Sequence, residues 1–175
     1  DFTGNALTLT GSGNTLGGDF TVANSGVFTT GNAAALTIDG SFSQTGAGGT
    51  TLGADLVADK GIDLAGDLTL KGDTDEPIRL ATDGLAGSDI RLGGDVDNTA
   101  GESLVLDAGA GGDITVMGDV GDLGTGDLEI TNAADVRFDG LVTADKLLQL
   151  AGTGTTTLAG TLTLASDLDF TGNAL

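Results

Sequence analysis

The sequence predicts an all-β fold, a parallel β-helix (β-solenoid) of about eight short-stranded rungs running as one continuous segment over residues 1–175. Three observations lead there. Apolar and polar residues alternate over stretches of only three to five positions, the period-2 signature of half-buried strands. Glycine reaches 32 residues against a single proline, Pro77, so tight glycine corners interrupt the chain every few positions. Helical periodicity is almost nowhere.

Taken in order, the alternating segments begin with Ala6-Leu7-Thr8-Leu9, Asp19-Phe20-Thr21-Val22, Ala35-Leu36-Thr37-Ile38 and Asp67-Leu68-Thr69-Leu70. Asp89-Ile90-Arg91-Leu92, Ser103-Leu104-Val105-Leu106, Asp113-Ile114-Thr115-Val116 and Asp127-Leu128-Glu129-Ile130 follow. The series closes with Asp135-Val136-Arg137-Phe138, Thr155-Thr156-Thr157-Leu158, Thr161-Leu162-Thr163-Leu164 and Asp167-Leu168-Asp169-Phe170. Alternate residues of a strand point to opposite sides. Leu7, Leu9, Phe20, Val22, Leu36, Ile38, Leu68, Leu70 and Leu104 are therefore expected to face a core. So are Leu106, Ile114, Val116, Leu128, Ile130, Val136, Phe138, Leu162 and Leu164. Corners such as Gly11-Ser12-Gly13-Asn14, Gly93-Gly94 and Gly111-Gly112 are read as positive-φ positions. Strands this short, with corners this frequent, suit solenoid turns of roughly 20 residues stacked ~4.8 Å apart better than a sandwich of long hairpins. Two places break the rhythm. Residues 71–77 read as a polar loop leaving the stack, and residues 141–150 resemble a short helix but are assigned to strand by their neighbours.

The heptapeptide Asp1-Phe2-Thr3-Gly4-Asn5-Ala6-Leu7 returns unchanged as Asp169-Phe170-Thr171-Gly172-Asn173-Ala174-Leu175, 168 positions on. This predicts one period of a tandem array followed by the start of the next copy, with neighbouring copies joined head to tail. Weaker echoes lie inside the period. Asp19-Phe20-Thr21-Val22-Ala23-Asn24 is matched by Asp127-Leu128-Glu129-Ile130-Thr131-Asn132. Gln44 to Leu52 is matched by Gln149 to Leu158, one residue longer, in the same order, as an old duplication would leave them.

The balance of 6 basic to 26 acidic residues gives a net charge of −20. It argues against nucleic acid and anionic membranes as partners. No apolar stretch reads as a membrane helix or an export signal. Cysteine and histidine are both absent, which removes disulfides, thiolate chemistry and the commonest general base and zinc ligands.

The runs Gly111-Gly112-Asp113-Ile114-Thr115-Val116, Gly126 to Ala133, Val136-Arg137-Phe138 and Gln149 to Gly160 resemble the repeats of giant bacterial surface proteins of the filamentous-haemagglutinin and autotransporter-adhesin type. The resemblance covers most of residues 103–170. It implies a right-handed parallel β-helix, export to the extracellular face of a bacterium, and service as a stalk or adhesive fibre. It carries no catalytic residues.

Three other chemistries find partial support in the sequence. Asp73-Thr74-Asp75-Glu76 and Asp95-Val96-Asp97-Asn98 space carboxylates as calcium loops do, but neither continues into an EF-hand or a glycine-rich calcium roll. The plainer reading is that aspartates bond local backbone N–H groups at turns. A polysaccharide-active enzyme needs a carboxylate pair, which 26 acids supply without specificity, and no Trp or Tyr offers a sugar platform. Thr155-Thr156-Thr157 with Thr161 and Thr163 suggests a flat binding face, against the plainer reading that threonine suits exposed strands. Lys60, Lys71, Arg79, Arg91, Arg137 and Lys146 are too few and scattered for a site and are read as relieving acidic repulsion. The expectation is a structural protein and no enzyme, with no catalytic, cofactor-binding or metal-ligating residue assigned; a calcium-dependent binding module is the alternative. A fibre with about one negative charge per 2 Å of axis would gather calcium diffusely and bridge to other fibres through divalent ions.

Overall fold

The computed structural model describes residues 1–72, 76–99, 101–121 and 126–175. Within them the chain forms short strands and no helix, and every strand pairing is parallel. The first turn holds β1 (Phe2–Gly4), β2 (Leu7–Leu9) and β3 (Asn14–Leu16), one on each of three faces. The second holds β4 (Phe20–Asn24), β5 (Phe28–Thr30) and β6 (Leu36–Ile38). The third holds β7 (Phe42–Gln44), β8 (Thr50–Leu52) and β9 (Leu56–Ala58), and the fourth β10 (Ile62–Leu64), β11 (Leu68–Leu70) and β12 (Ile78–Ala81). Next come β13 (Ile90–Leu92), β14 (Val96–Asn98) and β15 (Leu104–Asp107), then β16 (Ile114–Val116) and β17 (Leu128–Asn132). The last two turns are β18 (Val136–Phe138), β19 (Val142–Ala144), β20 (Leu147–Gln149) and β21 (Thr156–Leu158), β22 (Leu162–Leu164), β23 (Leu168–Phe170).

The first face is the sheet β1-β4-β7-β10-β13-β16-β18-β21, so seven full turns separate β1 from β21. The third face runs from β3 through β6, β9, β12, β15, β17 and β20 to β23. On the second face, among the described residues, Val120 alone bridges β14 to β19 through Val96 and Val142, which joins its two shorter sheets. The chain is thus a three-sided β-solenoid.

All eighteen residues expected to face the core belong to it or pack against it. Phe20, Phe42, Ile62, Ile90, Ile114 and Val136 stack in register as one interior column of the first face. Phe28 adds its ring to those of Phe20 and Phe42, with centroids 6.2 and 5.5 Å away. Such aromatic pairs add about 0.5–1.5 kcal/mol beyond burial. Leu7, Leu9, Leu162 and Leu164 are only half-buried, because in this chain one neighbouring rung covers them instead of two.

Turn lengths are uneven. Asp19 and Ser41 occupy one corner position 22 residues apart, and Asp135 and Thr155 another 20 apart, whereas Asp67 and Asp95 are 28 apart. Residues 82–89 carry surplus length in one of the longest turns; of the expected loop 71–77, residues 73–75 lie outside the described residues. Residues 141–150 form β19 and β20 with a corner at Asp145-Lys146, so the helix-like spacing there reflects two strands in series.

Candidate functional site: ladders at the corners

The residue before each strand is where the chain turns inward, and in much of the stack it is aspartate. Its carboxylate bonds to the next turn of the solenoid and not only to its own. Asp89 Oδ1 accepts from the backbone N–H of Asp113 at 2.9 Å, Asp113 Oδ1 from Asp135 N–H at 3.0 Å, and Asp135 Oδ1 from Thr155 N–H at 2.6 Å. A second column links Asp67 to Asp95 N–H at 3.0 Å, Asp95 to Asp119 N–H at 2.9 Å and Asp119 to Leu141 N–H at 2.8 Å. Asp19 to Ser41 and Asp55 to Arg79 repeat the bond. The expectation of local backbone bonds holds at Asp83 and Asp107, which accept from Leu85 and Gly109 N–H. The ladder aspartates reach across one whole turn instead. The corner leaves its N–H pointing along the solenoid axis, where a side-chain oxygen from the adjacent rung reaches it: a carboxylate in these columns, and the Ser103 hydroxyl at the Asp127 N–H, at 2.9 Å.

Beside the second column lies a run of glycines two residues ahead of the second-face strands from β5 onward and of the Val120 bridge: Gly26, Gly48, Gly66, Gly94, Gly118, Gly140 and Gly160. A Cβ on each would strike the neighbouring corner; at Gly140 it would lie 2.5 Å from both Gly118 O and Asp119 Oδ1. None of the seven has a positive φ, and neither do Gly93, Gly94, Gly111 or Gly112. Of the corner glycines read as positive-φ positions, Gly13 is one, at +67°; for Gly93, Gly94, Gly111 and Gly112 the requirement is close approach of the neighbouring corner, and Gly11 shows neither.

Inside the corner between the first and second faces, two buried amides replace apolar residues. Gln44 Nε2 donates to Asn24 Oδ1 at 2.7 Å and to Gly48 O at 2.6 Å, while Gln44 Oε1 accepts from Gly66 N–H at 2.9 Å. Asn24 Nδ2 donates to Gly26 O and Gly49 O. Both side chains are almost fully enclosed and their donors are partnered, so they stitch three rungs without an unpaired polar atom at the donors. These two residues are not assigned from the sequence, although the alternation that turns Phe20, Val22 and Phe42 inward also turns Asn24 and Gln44 inward, and a polar residue at an inward position is the signal that could find them.

Four of the basic residues form ion pairs: Lys60 with Asp83 at 2.9 Å, Arg91 with Asp63 at 2.8 Å, Arg79 with Asp107 and Arg137 with Asp139. Lys60, Asp63, Asp89 and Arg91 edge an open depression of about 360 Å³ on the first face. Each already serves the chain: Asp63 holds Arg91, Lys60 holds Asp83, and Asp89 holds the Asp113 N–H. Of the calcium candidates, Asp73 and Asp75 lie outside the described residues, and Asp95 is engaged on both sides by the ladder. Asn98 caps a turn through Gly101 N–H and Glu102 O. Among the described residues no three acidic, His or Cys side chains converge as a metal cluster. The proposed threonine face does not exist as one surface. Thr156 points inward and is bonded to Gln149 Oε1 at 2.7 Å, Thr157 lies on the first face and Thr163 on the second. The longest run of threonines in register is Thr8, Thr29, Thr51 and Thr69 on the second face, with shorter pairs at Thr143 and Thr163 and, on the third face, at Thr15 and Thr37.

Bonds from the Ser41 N–H and hydroxyl hold the Asp19 carboxyl below its usual range. The Ser88 hydroxyl, then Lys60 and the Leu85 N–H, bring Asp83 down to about 2, and Asp83 in turn raises Lys60. A carboxyl depressed by folding lends stability that is complete above its unfolded pKa of about 3.9 and is lost as pH falls toward the folded value. Melting temperature should therefore drop between about pH 4 and about pH 2, and Asp83→Asn should flatten that limb. An unchanged limb in the variant would remove Asp83 from the account. Lys60 works oppositely: its share is complete below about pH 10.4 and is lost only above its raised pKa.

In comparisons with family models, curated proteins and solved structures, nothing matches this chain.

Proposed function

We propose that this chain is a structural repeat of a secreted or cell-surface bacterial fibre, in which copies continue one another end to end as a stalk or adhesive filament. The observation that carries the reading is the recurrence of Asp1–Leu7 as Asp169–Leu175 at the two ends of a stack whose terminal rungs are apolar in cross-section. Leu168 and Leu175 are 44% and 62% exposed at one end, and Leu7 and Leu9 are half-covered at the other. A rung without a neighbour also presents a row of backbone N–H and C=O groups that a further strand would satisfy. Corner ladders and glycine columns support the same reading, since they are built for stacking and occupy the aspartates that a site would use. The location outside the cell and the adhesive role come from the resemblance to bacterial adhesin repeats.

The test is sedimentation of the 175-residue chain over a wide concentration range. End-to-end association should produce a ladder of elongated oligomers, and Leu164→Lys, which puts a charge in the terminal cross-section, should suppress it. A chain that stays strictly monomeric at millimolar concentration would contradict the proposal.

A further inference from the structure

We infer that successive copies of the 168-residue unit join with a rotation of two-thirds of a turn, so that each copy shows a different face on any given side of the fibre. This rests on the fibre reading above. The duplicated heptapeptide keeps its local conformation but changes face. Phe2 lies on the first face, in register with Val22, and Phe170 lies on the third, in register with Gln149. In both copies the phenylalanine ring sits against the glycine two residues on, Gly4 or Gly172. Leu7 then opens β2 on the second face, its N–H bonded to Val27 O in the next rung. Ala174 pairs with Thr155 and accepts from Thr156 N–H, so Leu175 opens a strand on the first face. From Phe2 to Phe170 the chain completes seven turns and two of the three sides.

The internal echoes make the same step independently. Asp19-Phe20 opens β4 on the first face, and its counterpart Asp127-Leu128 opens β17 on the third. Gln44 ends β7 on the first face, and Gln149 ends β20 on the third. Thr50–Leu52 lies on the second face, and Thr156–Leu158 on the first. Related sequence thus moves between faces by the same two sides each time. The physical reason is that the three faces are made alike, from three-residue strands with two inward positions and a small or acidic corner. Three copies would restore the phase after 23 turns, or ~110 Å at ~4.8 Å per turn. The aspartate and glycine columns would wind around the fibre instead of lining one edge, and every side would present all three faces in turn to whatever the fibre lies against.

The experiment uses three copies of residues 1–168 in series, closed by residues 169–175. The chain has no cysteine, so two introduced cysteines take spin labels cleanly. One sample carries Thr37→Cys in the first and second copies; the other carries Thr37→Cys in the first copy and Thr21→Cys in the second. Thr37 points outward from the third face and Thr21 from the first. With the two-thirds rotation, the second copy's residue 21 falls on the third face, seven turns above residue 37, at ~34 Å. The two residues 37 then lie on different faces, at a distance longer than their axial ~37 Å. The mixed pair should therefore be the closer one. Sharp distances in the reverse order would overturn this inference alone and leave the fibre intact. Broad distances in both samples, with copies melting independently, would overturn the fibre reading and the inference with it.

Discussion

Ile114→Asp is expected to lower the melting temperature by about 6–20 °C and to open the neighbouring rungs to hydrogen exchange. Ile114 is fully enclosed, stacked between Ile90 and Val136 in the interior column of the first face. A carboxylate there has no cation within the core. An unpaired buried charge costs about 3–5 kcal/mol, and a domain of this size loses about 2–4 °C per kcal/mol. The matching control is one residue away. Thr115 points outward between Arg91 and Arg137 in the adjacent rungs, so Thr115→Asp adds an acid between two cations. That variant should melt within about 2 °C of the parent. If both variants melt alike, the inward and outward assignment is wrong.

Gly140→Ala should cost about 1–3 kcal/mol for the addition of a single methyl group. The new Cβ meets Gly118 O and Asp119 Oδ1, and neither can retreat easily. Asp119 Oδ1 is bonded to Leu141 N–H at 2.8 Å, and Val120 N–H to Leu141 O at 2.7 Å. Two comparisons separate close approach from backbone conformation. Gly18 has open space around it and no positive φ, so Gly18→Ala should be neutral or stabilise by about 0.4–1 kcal/mol through the unfolded chain. Gly87 has open space but a φ of +84°, so Gly87→Ala should cost about 1–2 kcal/mol by strain alone. Equal effects at Gly140 and Gly18 would show that the glycine column is compositional and not structural.

These variants also mark what the sequence could show. Alternation such as Asp113-Ile114-Thr115-Val116 reveals which side of a strand faces inward, because period 2 is a property of three consecutive residues and needs no knowledge of partners. The corner chemistry depends on residues 20 to 28 positions apart, with a spacing that changes from turn to turn. No fixed period reveals that Asp95 lies above Asp67, or that Gly118 lies above Gly94. For the same reason the recurrence of Asp1–Leu7 is plain in the sequence while its change of face is not: the face depends on counting strands, and Val120 holds a side of the prism with one residue. The inward polar residues were legible as exceptions to the pattern. Gln44 ends a strand whose other inward residue is Phe42, and its need for partners is met by the carbonyls of Gly46 and Gly48.

In the proposed fibre the solenoid continues from copy to copy as one rod, and small-angle X-ray scattering from chains of one, two and three copies measures this directly. A continuous rod should grow by ~37 Å with each 168-residue copy while its cross-section stays constant. A cross-section that widens with copy number, or a length increment well short of that value with the profile of jointed beads, would contradict it.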